Sequence, residues 1–525
     1  MTEPKRYPMA EAVRSAYRAG EEDEALEPLV RVDGASRPVG RIGDGDYVIF
    51  YDIRGEREIE LTSAFVASEF SHFPRPSIQV HFVTMIEYAR DLPVRVAFPP
   101  IQAIRHTLSE VASGHGLRQV KIAESEKAIH VRYFLNGKRE EPFPGETHVV
   151  VPSPEVQNYA EVPEMSAEEV ARATVEVLDD PEADLVVVNF CNVDVVGHIE
   201  DRAAILRAVG EVDRRIGAVV VAAQAHGMTA VITADHGTVE RWLYPEGTVD
   251  TGHTDSPVPF VVVDPVLQGV ALREGGALTD VAPTLLHLLG LPQPEEMTGA
   301  SLLPDGVSRQ QRRVLLVVAD GWGARDDSRG NLILEAETPV MDRLQQEWPT
   351  TRLQAAGEAV GMPAGTVGNS EAGHLHIGAG RRVLSDRVRI DRAIANGSFF
   401  ANGAFRWAMR GAKRDGTRLH LLGIVSFYSS HGSVDHLQAL LKMARREEVP
   451  EVYIHAMLGR RGERPESGAR YIGDVERETE RLGVGVVASV IGRFWSLDRE
   501  ENWDRIEKTY RWLVEGQGRP VTAPP

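Results

Sequence analysis

The stretch "SRQQRRVLLVVADGWG" (residues 308–323) decides the fold. A basic, polar lead-in gives way to the apolar run from Val314 to Ala319, which stops at Asp320-Gly321. A carboxylate at the carboxyl end of an apolar run, just before a glycine turn, sits where open α/β sheets place their ligands. This beginning lies past residue 300, after a segment that already reads as complete. The order of the chain therefore needs explaining as well as its class.

Outward from that stretch, strand-like runs alternate with helical patterns. "LVVVNF" (185–190), "AVITADHG" (230–237) and "PVPFVVVD" (257–264) are continuous and rich in β-branched residues, the look of buried parallel strands. Between them lie helical stretches at 201–227 and 278–291, the second with Thr279 or Asp280 as its cap and Gly290 as its stop. Further strand signals flank the region: "DYVIFYD" (46–52) and "VRVAF" (94–98) before it, "RLHLLGIVSF" (418–427), "EVYIHAML" (451–458) and "VGVVASVIG" (484–492) after it. Alternation of this kind predicts an α/β protein built on a doubly wound sheet, and 525 residues exceed one ordinary core, so two domains are expected. The polar segment "PDGVSRQQRR" (304–313) is the best linker.

A net charge of −19 argues against nucleic-acid or anionic-membrane binding, although a local basic pocket for a small anion stays open. The one cysteine, Cys191, suits a reducing compartment and reads as packing. With no signal-like core at the N-terminus and no run of membrane-spanning length, a cytoplasmic protein is expected.

Four strand-end segments carry metal-type side chains. "NFCNVDVVGH" offers Asp194 and His198, four apart; "ITADHGTVE" offers Asp235 and His236; "DTGHTDSPVP" offers His253; "VVADGWG" offers Asp320. Taken singly, an Asp-Gly is a turn, and a histidine before a strand is a satisfied surface or core residue. Their convergence on the carboxyl ends of strands in one sheet is what singles them out. Carboxylates mixed with imidazoles suit Mn²⁺, Zn²⁺ or Fe²⁺ alike. In "VGNSEAGHLHIGAGR" (367–381), Ser370 precedes a helix. It reads either as the helix N-cap or as a nucleophile activated by a metal ion.

At this point a resemblance is reached. "LLVVADGWGARDDSRGNLILEAETPVMDRL" followed by "GEAVGMPAGTVGNSEAGHLHIGAGR" closely resembles the amino-terminal part of cofactor-independent (2,3-bisphosphoglycerate-independent) phosphoglycerate mutases, members of the alkaline phosphatase superfamily. "VRVAFPP", "AESEKAIHVRYFLNG", "EEPFPGE", "VPSPEVQNYAEVPEMSA", "ITADHG" and "EMTGASLL" resemble the family's carboxyl-terminal part, so the order is rotated. The resemblance implies a circular permutation in which 304–313 joins the family's usual ends. It implies a continuous phosphatase-like metal-binding domain at 102–385 and a substrate-binding transferase domain split between 1–101 and 386–525.

Position by position, the resemblance implies two divalent ions, Mn²⁺ in the family, with Zn²⁺, Fe²⁺ or Mg²⁺ as alternatives. Asp194, His198 and His253 would hold one; Asp320, Ser370, Asp235 and His236 the other. Ser370 is then the nucleophile, and Lys127 in "AESEK" steadies the phosphoryl group. Arg54 and Arg57 in "YDIRGER", Arg461 in "GRRGER", and Arg493 and Arg499 in "IGRFWSLDR" match the family's substrate arginines. Arginine suits a carboxylate because its planar fork pairs bidentately, although a single arginine is ordinarily a solvated surface charge. His431 in "YSSHGSVDHL" matches a histidine beside the substrate hydroxyls and is a candidate proton carrier.

The implied reaction interconverts 3-phosphoglycerate and 2-phosphoglycerate, a step of glycolysis and gluconeogenesis, in a protein expected to be a monomer. Three departures bear on it. Phe427 to Ser433 replaces Asp-Gly-Gly-Val-His-Ser-His, Gly462 replaces an aspartate that contacts substrate, with Glu463 beside it, and Gly55-Glu56 replaces Pro-Asp. Two other readings stay open: a metal-dependent phosphatase or phosphotransferase acting on another small phosphoester, and a non-catalytic metal-binding regulatory protein.

Overall fold

The computed structural model describes residues 7–76, 78–101, 103–309, 311–427, 431–459 and 467–522. The chain divides into two compact units, one of Ile101–Ser385 and one assembled from Met1–Pro100 and Asp386–Pro525. Each is α/β and each is built on one eight-stranded sheet, the class read from the alternating runs.

In the unit Ile101–Ser385 the strands lie in the order Gly276–Ala277, Thr350–Gln354, Val258–Val263, Thr229–Thr233, Val314–Ala319, Ala183–Phe190, Arg118–Glu124, Glu146–Val151. The last five of that order are parallel. Val314–Ala319 is interior to the sheet and buried throughout, as an uninterrupted apolar run requires, and each buried Val or Leu side chain contributes about 1.5–3 kcal/mol. The parallel steps are covered by helices such as Ala167–Leu178 and Arg202–Ala225. The latter opens on Asp201, whose carboxylate accepts from the Ala204 N–H at 3.0 Å.

Two expectations differ from what is found. Val258–Val263 is buried at every position yet pairs antiparallel with both neighbours. A continuous apolar run reports burial on two faces, and that does not determine direction. The helix expected over 278–291 is a short 3₁₀ turn, Leu278–Asp280, followed by Val281–Leu288. Asp280 stands at the N-cap position, but its carboxylate accepts from the N–H groups of Ala277 and Ala300 instead of capping the helix.

In the second unit the order is Arg519–Thr522, Leu29–Val32, Val486–Gly492, Val452–Leu458, Leu419–Ile424, Tyr47–Phe50, His81–Ile86, Arg95–Phe98. The last six are mutually parallel. Leu419–Ile424 pairs with Tyr47–Phe50 in parallel register, Leu419 opposite Tyr47, so the early and late parts of the chain meet in mid-sheet. From that junction the strands step outward in both directions. It is a topological switch point, the place where doubly wound sheets bind ligands beyond the strand ends.

Candidate functional site

In the unit Ile101–Ser385, three neighbouring parallel strands deliver the candidate ligands from their carboxyl ends. Asp320 follows Val314–Ala319 directly. Asp235 and His236 follow Thr229–Thr233, and Asp194 lies in the short helix Asn192–Gly197 after Ala183–Phe190, with His198 as its C-cap. His253 precedes Val258–Val263. Gly321 makes the crowding possible. Its φ is +83°, and a Cβ there would lie 2.8 Å from the Asp194 backbone nitrogen, so both conformation and space call for glycine.

The side chains converge. Asp194, His198 and His253 form one group whose ligand atoms all lie within 4.8 Å of one another, Asp194, His236 and Asp320 a second, and Asp235, Asp320 and His374 a third. The Asp194 Oδ1 atom is 3.1 Å from His253 Nε2, 3.4 Å from His198 Nε2 and 3.5 Å from His236 Nε2. Each of these imidazoles has its Nδ1 against a backbone carbonyl: His198 on Thr251 at 2.7 Å, His253 on Gly368 at 2.9 Å, His236 on Gly237 at 3.1 Å. An Nδ1–H donated to a carbonyl leaves the Nε2 lone pair for an electrophile, as in metal-ligating histidines.

The donor set fits divalent cations on two further observations. Asp194 Oδ1 and Asp235 Oδ2 are buried carboxylate oxygens without a hydrogen-bond partner among the described residues. Burying such oxygens is costly unless a cation joins them. The second observation is charge. Asp194, Asp235 and Asp320 are all buried, and the ammonium among them is that of Lys127, 2.7 Å from Asp194 Oδ2 and 2.9 Å from Asp320 Oδ1. Burial alone would depress Lys127, but the carboxylates of Asp320, Asp194 and Asp235 outweigh it and hold the ammonium above the ordinary lysine range. Burial and the neighbouring Asp235 push Asp320 up.

Ser370 is the first residue of the helix Ser370–Ala379. It is not the cap, because the Asn369 side chain accepts from the Ala372 N–H at 2.8 Å and leaves the Ser370 hydroxyl uncommitted to its own helix. Ser370 Oγ lies 3.0 Å from His236 Nε2, 2.5 Å from Lys127 Nζ and 3.4 Å from Asp320 Oδ1. A buried hydroxyl at a helix N-terminus, between an ammonium and metal-type donors, is placed to carry negative charge and to attack an electrophile. The helix is drawn close at Gly373, where a Cβ would stand 2.4 Å from the Asp235 carbonyl oxygen.

Two residues here were not read from the sequence. His374 contacts Asp235 Oδ2 at 3.2 Å through Nδ1, and Asn189 donates to Asp320 Oδ2 at 2.9 Å. His374 is one turn past Ser370, and that i, i+4 spacing was the available signal. Asn189 is one apolar-run position among others and gave none. Cys191 is buried, and burial pushes its thiol well above the ordinary range, so it is inert packing.

The remaining described candidates belong to the second unit: Arg54 and Arg57 follow Tyr47–Phe50, His431 follows Leu419–Ile424, and Arg493 and Arg499 follow Val486–Gly492. Glu56 pairs with both Arg54, at 2.7 Å, and Arg499, at 2.5 Å. The Arg57 guanidinium donates to the Leu497 carbonyl at 3.2 Å, and Arg493, nearly buried, is 3.5 Å from Glu24. His431 is buried with its Nδ1 2.9 Å from Glu58 Oε1. Its pKa is lowered to about 4, first by burial and then by the guanidiniums of Arg493, Arg54 and Arg57, with Asp52 opposing. Arg461, Gly462 and Glu463 lie outside the described residues.

Comparison with known proteins adds an independent line. The metalloenzyme superfamily model matches residues 47–293, and the model of the bisphosphoglycerate-independent phosphoglycerate mutase N-terminus matches residues 2–90 and 390–524. A 2,3-bisphosphoglycerate-independent phosphoglycerate mutase from Moorella thermoacetica is 45% identical over 299 residues, 57% of each chain. One from Thermomicrobium roseum is 47% identical over 302 residues, 56% of this chain and 57% of the relative. The chain thus spans little more than half the length of the curated relatives it matches. A solved phosphoglycerate mutase from Leishmania mexicana shares 32% identity over 52% of this chain and 53% of its own, with a TM-score of 0.40. The superfamily match and the clustered donors together identify a divalent-metal-binding protein.

Proposed function

We propose, from the premise that this chain belongs to the family of 2,3-bisphosphoglycerate-independent phosphoglycerate mutases, that it interconverts 3-phosphoglycerate and 2-phosphoglycerate through a phosphoserine on Ser370. One observation carries the reading: a buried serine hydroxyl at a helix N-terminus, 3.0 Å from His236 Nε2 and 2.5 Å from Lys127 Nζ, beside three buried carboxylates. Ser370 takes the phosphoryl group from the 3-position and returns it to the 2-hydroxyl. Lys127 balances the charge of the transferring group, and the positive end of the helix dipole favours the serine oxygen as an anion.

Two divalent cations, Mn²⁺ by family likeness, would be held by Asp194, His198 and His253 and by Asp320, Ser370, Asp235 and His236, neutralising phosphate charge and acidifying the hydroxyl. Arg54, Arg57, Arg461, Arg493 and Arg499 are the proposed carboxylate-binding set, which keeps glycerate from leaving between the two transfers, and His431 is the proposed proton carrier.

The proposal includes a rotated chain order, with the unit Ile101–Ser385 as the phosphatase-like part and the split unit as the transferase part. Two facts support it. The mutase N-terminus model matches both ends of the chain, and most of the described residues of 304–313 are exposed, although at the far end Arg312 and Arg313 are half-buried and the Arg313 carbonyl accepts from the Thr229 N–H at 3.0 Å.

One observation favours a second reading, a metal-dependent phosphatase or phosphotransferase acting on another small phosphoester. Glu56 already supplies Arg54 and Arg499 with a carboxylate, and Gly462 stands where the family has an aspartate. Phosphorus NMR of the purified protein with Mn²⁺ and 3-phosphoglycerate, without bisphosphoglycerate, separates the two. A 2-phosphoglycerate signal is expected; free phosphate alone selects the second reading. Ser370→Ala should abolish turnover of either kind while leaving the circular dichroism spectrum unchanged, and full turnover in that variant would remove Ser370 from the mechanism.

A further inference from the structure

The split unit holds a buried acid that the mechanism above does not use. Glu58 follows the 3₁₀ turn Gly55–Arg57 and is the residue from which the helix Ile59–Val66 begins. Its side chain has no solvent exposure and its Oε1 lies 2.9 Å from His431 Nδ1; the histidine side chain is 2% exposed. The turn is pinned on both sides, since Thr62 Oγ1 donates to the Glu58 carbonyl at 2.7 Å and the Arg57 N–H donates to Glu58 Oε2 at 3.1 Å. The His431 segment is pinned too, because its carbonyl accepts from the Ile53 N–H at 2.5 Å. A side chain fixed from both sides against one ring nitrogen determines what the other nitrogen can do.

We infer that Glu58 is a positioning residue for His431, its buried carboxyl gripping Nδ1 and so selecting which ring nitrogen carries the proton during phosphoryl transfer. The inference rests on the reading of His431 as proton carrier. Among the family departures, Phe427 stands where a carboxylate is usual four residues before the histidine, and Glu58 brings a carboxyl to the same ring from another element.

The surroundings set the direction of the proton. Glu58 is raised to about 8, chiefly by burial, against the N–H groups of Arg57 and of Glu58 itself and the Arg54 guanidinium, with Glu56 adding to the rise. Asp52, fully buried nearby, is pushed well above the carboxylate range by burial and by Glu58. Tyr88, likewise buried, donates to the Asp52 carbonyl at 2.8 Å and carries no charge near neutrality. Arg493, Arg54 and Arg57 oppose a positive charge on His431. At pH 7 a protonated Glu58 therefore donates to Nδ1, and the ring presents Nε2–H as a donor. Above about pH 8, Glu58 ionises, Nδ1–H donates to the carboxylate, and Nε2 becomes an acceptor.

The test uses the full-length protein labelled with ¹⁵N-histidine, its His431 resonances identified by their loss in His431→Asn. Long-range ¹H–¹⁵N spectra from pH 6 to 9.5 should show His431 passing from Nε2–H to Nδ1–H with a midpoint near 8. Glu58→Gln, whose amide donates at every pH, should hold Nε2–H throughout, and Glu58→Ala should lose the preference. In parallel, kcat at pH 7 should fall roughly tenfold or more in Glu58→Ala and recover in good part in Glu58→Gln, which also loses the alkaline limb near pH 8. If the tautomer swap occurs but no 2-phosphoglycerate forms, the mutase reading fails and the positioning role stands. If mutase activity is present while the His431 signals ignore both pH and the Glu58 substitutions, the positioning role is overturned.

Discussion

Replacing Lys127 by methionine should expose how the metal site is held together. The lysine ammonium is 2.7 Å from Asp194 and 2.9 Å from Asp320, all three side chains at most 7% exposed. At an effective dielectric of about 20, each contact is worth roughly 6 kcal/mol of Coulomb attraction, most of it offset by desolvation of the charges. Methionine preserves the stem's packing and removes the charge, leaving three buried carboxylates facing one another. Breaking a buried pair in this way costs about 3–5 kcal/mol. Asp320, already pushed up, limits the loss by taking a proton, so the lower half of that range is expected. Urea unfolding of the wild-type and Lys127→Met proteins in EDTA at pH 7 should differ by about 3 kcal/mol. Saturating Mn²⁺ should stabilise the variant more than the wild type, because cations replace the missing positive charge. Equal stabilities within about 0.5 kcal/mol in EDTA, with equal metal responses, would refute the view that Lys127 balances the carboxylates.

Gly373→Ala would drive a methyl group against the Asp235 backbone, so metal affinity measured by calorimetry should drop at least tenfold with the fold retained; unchanged affinity would mean that the helix yields freely. Glu146 has a fully buried side chain, 3.1 Å from Lys121 and bonded to His148, and its pKa is lowered to about 2, with these partners overcoming the burial that would raise it. Its contribution of about 3 kcal/mol is complete above the unfolded carboxyl's pKa and is lost as pH falls from about 4.5 to about 2. The stability gap between wild type and Glu146→Gln should therefore be widest near pH 6 and close toward pH 2. A gap that stays constant across that range would remove Glu146 as its source.

What the sequence made legible was whatever local pattern and chemistry encode together. Val314 to Asp320 shows burial, strand and turn in seven residues, and the candidate ligands Asp235, His236 and Asp320 stand just past strand ends of that kind, with Asp194 in the first turn beyond another. Ser370 carried two readings, and the placement of Asn369 as the cap removes the capping one. Strand direction at Val258–Val263 was not legible, because hydrophobic periodicity contains burial and no polarity of pairing. Glu58 was invisible for a different reason. In "RGEREIE" it is one of three glutamates within five residues, and nothing local distinguishes the one that faces His431 across 373 positions of chain.

The pairing of Tyr47–Phe50 with Leu419–Ile424 has a consequence for biosynthesis. The early strand emerges from the ribosome with its partner still roughly 370 residues from being translated, a wait of about 20–75 s at ordinary elongation rates. Meanwhile Ile101–Ser385, an uninterrupted stretch, can complete its own sheet. The nascent N-terminal segment must spend that interval with one apolar strand edge exposed, the state in which chaperone capture or misassociation occurs.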